Sequence, residues 1–330
     1  MSAKGFAVAG IGNAIVDVLA DTDDETLERL GLAKGSMTLI TAERAVELHA
    51  QMESRVECSG GSAANTLVGL ASMGGSAAYI GKVRDDALGE LFRRDIRAAG
   101  VSFDTPAATA GPPTGRCLIF VTPDAQRSMQ TLLGASATLG PEDVDPATIE
   151  RAGITFLEGY LWDPEPAKQA FLRAAEIAHA AGRKVALTLS DPFCVERHRE
   201  EFRELVDNHV DVLFANEAEV HSLFETNDFD AALAALRGRC EIAAVTRGKD
   251  GSVILCGDDV IQVEAAPVDE VVDTTGAGDL YAAGFLFGLS EGRDPATCGR
   301  IASIAAGEII SHFGARPESS LTDLVAAKLD

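Results

Sequence analysis

Asp273-Thr274-Thr275-Gly276-Ala277-Gly278-Asp279 is the stretch on which the reading of this 330-residue chain turns. It follows Val268–Val272, which reads as the end of a strand. It precedes Leu280–Leu289, an apolar small-residue run that reads as a buried helix. Strand, glycine turn and helix together make an anion-binding geometry. Backbone without Cβ atoms can close on an anion, and the N–H groups at a helix N-terminus lie where the helix dipole favours negative charge. Asp279 falls in the first helical turn, beside that pocket. A carboxylate there would repel a bound phosphate unless it served the chemistry. The role that fits is taking the proton of an attacking hydroxyl while the Gly276, Ala277 and Gly278 amides hold the transferred phosphoryl group. The plain alternative is a strand–helix turn with Asp279 as a stabiliser of the helix start.

The chain carries 28 basic against 51 acidic residues, a formal net charge of −23. A field of that sign disfavours nucleic acid and anionic membrane surfaces, and it leaves any polyanionic ligand in need of a local cradle or a metal. Cys58, Cys117, Cys194, Cys240, Cys256 and Cys298 are scattered, with no C-x-x-C pair. That argues against a zinc site or a disulfide framework and for core thiols in a reducing compartment. Met1-Ser2-Ala3-Lys4-Gly5 does not read as a signal peptide, and no apolar run reaches membrane length. The expectation is a soluble, cytoplasmic protein.

Outward from the opening stretch, the chain alternates. Phe6–Ile11 reads as a buried parallel strand ending at Gly12-Asn13, with Asp17 set in an apolar run that leaves a carboxylate in need of partners. Gly60-Gly61-Ser62 leads into a second small-residue helix, Ala64–Met73, with Asn65 in its first turn. Gly115–Thr122 and Gln126–Leu133, joined at Pro123-Asp124, read as a hairpin, which interrupts the βα rhythm. From Ile154 onward strands and helices follow one another to a long helix at Pro295–Phe313. The pattern predicts an α/β fold: a doubly wound, mostly parallel sheet flanked by helices, as a single domain over residues 1–330. A small β-sheet lid is expected from discontinuous segments near 13–20, 34–40 and 115–133. No G-x-G-x-x-G stands between the first strand and helix, which weighs against a Rossmann dehydrogenase.

Two more segments complete the set. Asn216-Glu217-Ala218-Glu219 opens a helix, and Thr246-Arg247-Gly248-Lys249-Asp250-Gly251 turns between two strands. Taken singly, the first is mostly a helix cap and the second mostly a turn. In this order the pieces resemble the ribokinase-like (PfkB) family of sugar and nucleoside kinases, over nearly the whole chain. Asp273–Asp279 is similar to the family's second signature, and Gly60, Gly61, Ser62 and Asn65 to its first. The resemblance implies that Asn13 and Asp17 hold substrate hydroxyls. It implies that Asn216 and Glu219 organise Mg2+ through water, and that Asn216, Thr246, Gly248, Gly251 and Thr275 bind ATP as co-substrate. Magnesium prefers oxygen ligands and keeps much of its water, so a loose N-x-x-E suffices. Potassium activation is a further implication, with the Asp273–Thr275 loop as its place.

For the acceptor, the resemblance leans to adenosine kinases. Ser190-Asp191-Pro192-Phe193 resembles their S-x-P-F segment, where the Phe borders the purine. Leu161 falls where they carry an aromatic residue, and Met37 and Leu39 where their lid covers the base. Arg127 falls where they carry an Arg that approaches the phosphates. Phosphorylation of the primary (5′-) hydroxyl of adenosine to AMP is the reaction implied. Guanosine or inosine kinase, a sugar kinase of ribokinase or fructokinase type, and a non-catalytic nucleotide-binding regulator stand as alternatives. A monomer and a homodimer are equally compatible with the sequence. For Phe193, Leu161 and Leu39, ordinary core packing is the competing explanation.

Overall fold

The apolar runs ending in glycine or a polar residue assemble into two sheets. The computed structural model describes residues 5–53, 55–124 and 126–329, so Met1–Lys4, read above for a leader, lies outside the described residues. The larger sheet has nine strands, in the order Asp259–Val263, Ser252–Cys256, Ile242–Thr246, Val212–Asn216, Lys184–Thr188, Ala152–Glu158, Phe6–Ile11, Ala77–Ile80 and Val101–Phe103. All neighbours from Ile242–Thr246 onward are parallel, and the first two strands add as an antiparallel edge. Chain order runs outward in both directions from Phe6–Ile11. Crevices at the carboxyl ends of such a sheet are where doubly wound folds bind ligands.

Strand alternation divides the core in two. Val8 points to one apolar cluster with Leu67, Leu280 and Phe285 of the helices Ser62–Ser72 and Ala277–Ser290. Ala9 and Ile11 point to the other, with Phe171 and Phe202 of Glu165–Ala180 and Arg199–His209. Helices therefore cover both faces, as the near-continuous apolar strands require. Phe156, Phe214 and Phe285 stack edge to face across the first cluster, with centroids 6.2 and 5.5 Å apart.

The smaller sheet orders Met37–Leu39, Arg127–Leu132, Gly115–Val121, Ile15–Asp21 and Val56–Gly60. It takes in segments from each of the three expected regions and adds Val56–Gly60. Val16, Val18, Leu118 and Phe120 are buried in the same apolar cluster as Val8, so the two sheets share that core. The opposite face carries Asp17, Leu19, Cys117, Ile119 and Arg127, in register across the strands.

One expectation is corrected. Val268–Val272 is not a strand; it runs as irregular chain to the glycine turn. It lies beyond the edge of the sheet's pairing, Val271 is exposed, and Val272 N–H donates at 2.8 Å to Ile310 O at the end of the helix Pro295–Ile309. A helix terminus thus satisfies the backbone that the sequence pattern assigned to a ladder.

Candidate active site

Asp279 stands in the first turn of the helix Ala277–Ser290, behind an N-cap, Gly276, with φ of 79°. An L side chain avoids that left-handed backbone, and a Cβ there would also press on Ala315 at 2.9 Å. Of the three amides in the turn, that of Ala277 donates to Thr274 O at 3.2 Å. Nothing lies within 4 Å of where a Gly278 Cβ would stand, so this side of the turn is open.

The Asp279 carboxylate meets the other glycine junction. Ser62 Oγ donates to Oδ1 at 2.6 Å and Asn65 Nδ2 to Oδ2 at 2.9 Å. Both donors belong to the first turn of Ser62–Ser72. Burial raises the Asp279 carboxyl above its usual range, while the bonds from Ser62 and Asn65 and the charge of Arg316 pull it back.

Asp17 comes to the same place from the strand Ile15–Asp21. A Cβ on Gly60 would lie 2.3 Å from the Asp17 carboxyl, so the strand Val56–Gly60 has to end in glycine for Asp17 to cross it. Gly61 caps the following helix. Burial pushes Asp17 up to about 6; Arg316 and Arg127 lower it and Asp279 raises it.

Glu158, at the end of the strand Ala152–Glu158, was not singled out from the sequence, and it is buried at the centre of this junction. Asn13 donates to its Oε1 from both N (3.2 Å) and Nδ2 (2.7 Å), and Ala63 N donates to Oε2 at 2.8 Å. Ser136 Oγ in turn donates to Asn13 Oδ1 at 2.8 Å. Asn13, expected to hold substrate, has its side chain engaged on both ends by the protein. Burial pushes Glu158 up to about 7 against those three bonds.

Arg127 reaches from the small sheet to the glycine turn. Its Nη2 lies 2.6 Å from Asp273 Oδ2, with both side chains buried, yet the N–H is not aimed along the contact and makes no hydrogen bond. Asp273 Oδ1 accepts from Thr275 N (3.0 Å) and Thr275 Oγ1 (2.8 Å), and Oδ2 accepts from Gly314 N (3.0 Å). Between the small sheet, the start of the helix Ser62–Ser72 and the loops at Thr275 and Arg316 lies a cavity of about 30 Å³, bordered by Asp17, Asn65, Arg127, Thr275 and Arg316. That admits a water, whereas small-molecule sites run to about 300 Å³ and more.

The family model for pfkB carbohydrate kinases matches residues 25–322. The chain belongs to the pfkB family of carbohydrate kinases. It is a phosphotransferase acting on a hydroxyl group. This pfkB kinase is 52% identical to an adenosine kinase from Sinorhizobium meliloti, covering 98% of this chain and 99% of that one with a TM-score of 0.91. It is 48% identical to a "probable sugar kinase protein" from Rhizobium etli, covering 99% and 100% with a TM-score of 0.93. Adenosine kinase 1 of Arabidopsis thaliana is 26% identical over 332 residues, 92% of this chain and 94% of that protein.

The remaining expected residues of the kinase fall in two groups. Asn216 and Thr246 end neighbouring parallel strands, and Gly248 and Gly251 turn the chain just beyond. Asn216 and Glu219 cap one helix reciprocally: Asn216 N and Nδ2 donate to Glu219 Oε2 (2.9 Å) and Oε1 (2.6 Å), and Glu219 N donates to Asn216 Oδ1 (2.9 Å). Burial pushes Glu219 up to about 8. Among the described residues no three His, Cys, Asp or Glu groups converge as a metal cage.

The residues expected around a base are dispersed. Leu39 shares a cross-strand row with Thr131, Cys117 and Asp17, and Met37 shares the next row with Met129, Ile119 and Leu19. Leu39 is therefore three strands, about 14 Å, from Asp17 on the same face. Leu161 is fully buried in the cluster under the large sheet, packed where the competing core explanation would put it. Phe193 is 72% exposed. In this conformation neither Leu161 nor Phe193 walls the cavity. No helix among the described residues is long and apolar enough to cross a membrane.

Proposed function

We propose that the chain is an ATP-dependent nucleoside kinase that phosphorylates the primary 5′-hydroxyl, with adenosine as acceptor and AMP as product. The observation that carries it is the Asp279 carboxylate held by Ser62 and Asn65 beside Asp17. The similarity to the Sinorhizobium adenosine kinase along the full chain supports the acceptor class. Asp17 accepts hydrogen bonds from the ribose hydroxyls. Asp279 takes the 5′-hydroxyl proton as the oxygen attacks the γ-phosphorus; its raised pKa makes it a stronger proton acceptor than an ordinary carboxylate. The Gly276–Gly278 turn at the helix N-terminus steadies charge on the transferred group.

Magnesium fits the nucleotide side as an outer-sphere ion. Each Glu219 oxygen accepts one hydrogen bond from Asn216, leaving a further lone pair for an ordered water. When bound, Mg2+ would neutralise charge on the ATP phosphates. Potassium at the 273–275 loop would meet the Arg127 guanidinium already facing Asp273, so no step is assigned to it.

A sugar kinase is the second reading. It is favoured by the positions of Leu161 and Phe193, which give a base no wall, and by the similarity to the Rhizobium protein. The test is ATP-dependent turnover of adenosine, guanosine, inosine, ribose and fructose in parallel. Preference for adenosine is expected. Preference for a free sugar would replace the nucleoside reading, and ATP binding without turnover of any acceptor would favour a nucleotide-binding regulator.

A further inference from the structure

Arg316 lies in the loop after the helix Pro295–Ile309. Its fork brackets the Gly60-Gly61 turn. Nε and Nη2 donate to Ser59 O at 3.2 and 2.7 Å, Nη2 also to Ser59 Oγ at 2.9 Å, and Nη1 to Ala64 O at 3.0 Å. Ser59 is the last residue but one of its strand, and Ala64 lies in the helical turn that carries Ser62 and Asn65. The far side of Ser59 is fixed too, because its N–H donates to Asp95 Oδ2 at 2.7 Å.

Among the described residues the charge of this group has no contact partner. All four bonds end on neutral oxygens, and among the described residues no carboxylate lies within 4.0 Å of the guanidinium. It nevertheless borders the cavity shared with Asp17 and Asn65. The side chain is part-buried, and a partly desolvated cation is stabilised by nearby negative charge. The carboxylates close enough to supply it are Asp17, Asp279 and Asp95.

We propose that Arg316 is a positioning residue for phosphoryl transfer: its fork sets the turn that presents Ser62 and Asn65 to Asp279, and its charge is the cation facing Asp279 and Asp17. The inference rests on Asp279 acting as the base. The charged and titratable groups around Asp279 are Arg316, Asp17, Glu158 and Tyr160, and Arg316 alone among them is cationic. Arg127 acts on Asp17 from the small sheet. Without Arg316, burial and two neighbouring carboxylates would act on Asp279 with only the Ser62 and Asn65 bonds in opposition.

The test is the pH profile of kcat at saturating ATP and acceptor for Arg316→Met, Arg316→Gln and Arg316→Lys, with Asp279→Asn as control. Loss of the charge is expected to move the acid limb to higher pH by about one unit in the Met and Gln variants. Lysine keeps the charge but cannot form the fork, so its limb should stay in place while the plateau falls. An unmoved limb in a folded neutral variant overturns the inference. So does a wild-type profile in Arg316→Lys if both neutral variants fail to fold, since Arg316 would then serve stability alone. Failure of the underlying reading looks different: Asp279→Asn would retain turnover with its acid limb.

Discussion

At the scale of single residues the site is a meeting of carboxylates in a protein already rich in them. Asp279 has two hydrogen-bond donors and one facing cation, and these oppose the upward push of burial on its carboxyl. Asp279→Asn keeps the shape and can still meet Asn65 and Ser62, but it cannot accept the hydroxyl proton. Turnover is expected to fall by about 100-fold or more, while ATP affinity measured by titration stays near wild type. Retained turnover would remove Asp279 from the mechanism. Asp279, Ser62 and Asn65 were legible in the sequence because each sits at a fixed offset from a glycine turn. Glu158 and Arg316 were not. The Glu158 position ends a strand whose apolar run stops one residue earlier, and nothing local reveals that Asn13, 145 residues away, will bond to it. The partners of Arg316 are more than 250 residues away, so its role exists only in three dimensions.

At the scale of elements, what matters is how closely two backbones can pass. The strand Val56–Gly60 pairs antiparallel with Ile15–Asp21, placing Gly60 opposite Ile15 with the Asp17 carboxyl over it. Gly60→Ala would set a methyl 2.3 Å from that carboxyl. Asp17 would have to move, so the acceptor KM is expected to rise about tenfold or more, as for a lost charged hydrogen bond, with the ATP KM little changed. A rise in the ATP KM alone would put Asp17 on the wrong side of the reaction. This strand was not read from the sequence because Val-Glu-Cys-Ser-Gly has neither an apolar run nor clean alternation; its pairing partner supplies what its composition lacks. Val268–Val272 shows the reverse, a β-branched segment with no strand to pair with. The long alternating half of the chain was legible because buried parallel strands and their covering helices leave a pattern that needs no distant partner.

At the scale of the whole molecule, the fold draws carboxylates out of water from the small sheet (Asp17), the large sheet (Glu158) and the helix Glu217–Phe224 (Glu219). Burial raises Asp17 to about 6, Glu158 to about 7 and Glu219 to about 8, against 3.8 and 4.5 for the free groups. Between those values the native state holds protons that the unfolded chain has released. Stability from these groups is therefore complete below about pH 4 and lost as pH rises through 6 to 8. Self-repulsion at a formal charge of −23 acts in the same direction. Asp124, exposed and held down to about 2, titrates below this window and does not oppose the trend. The ligand-free protein should then melt at a lower temperature at pH 8 than at pH 5. A loss of about 1 kcal/mol would appear as about 2–4 °C. Glu219→Gln removes the group that titrates highest, so its melting curve should flatten between pH 7 and 8 while the slope below pH 7 persists. A melting temperature that is level or rises from pH 5 to 8 would mean that these carboxylates are already ionised in the folded protein. The proton-accepting site would then owe its chemistry to hydrogen bonds and to Arg316 rather than to burial.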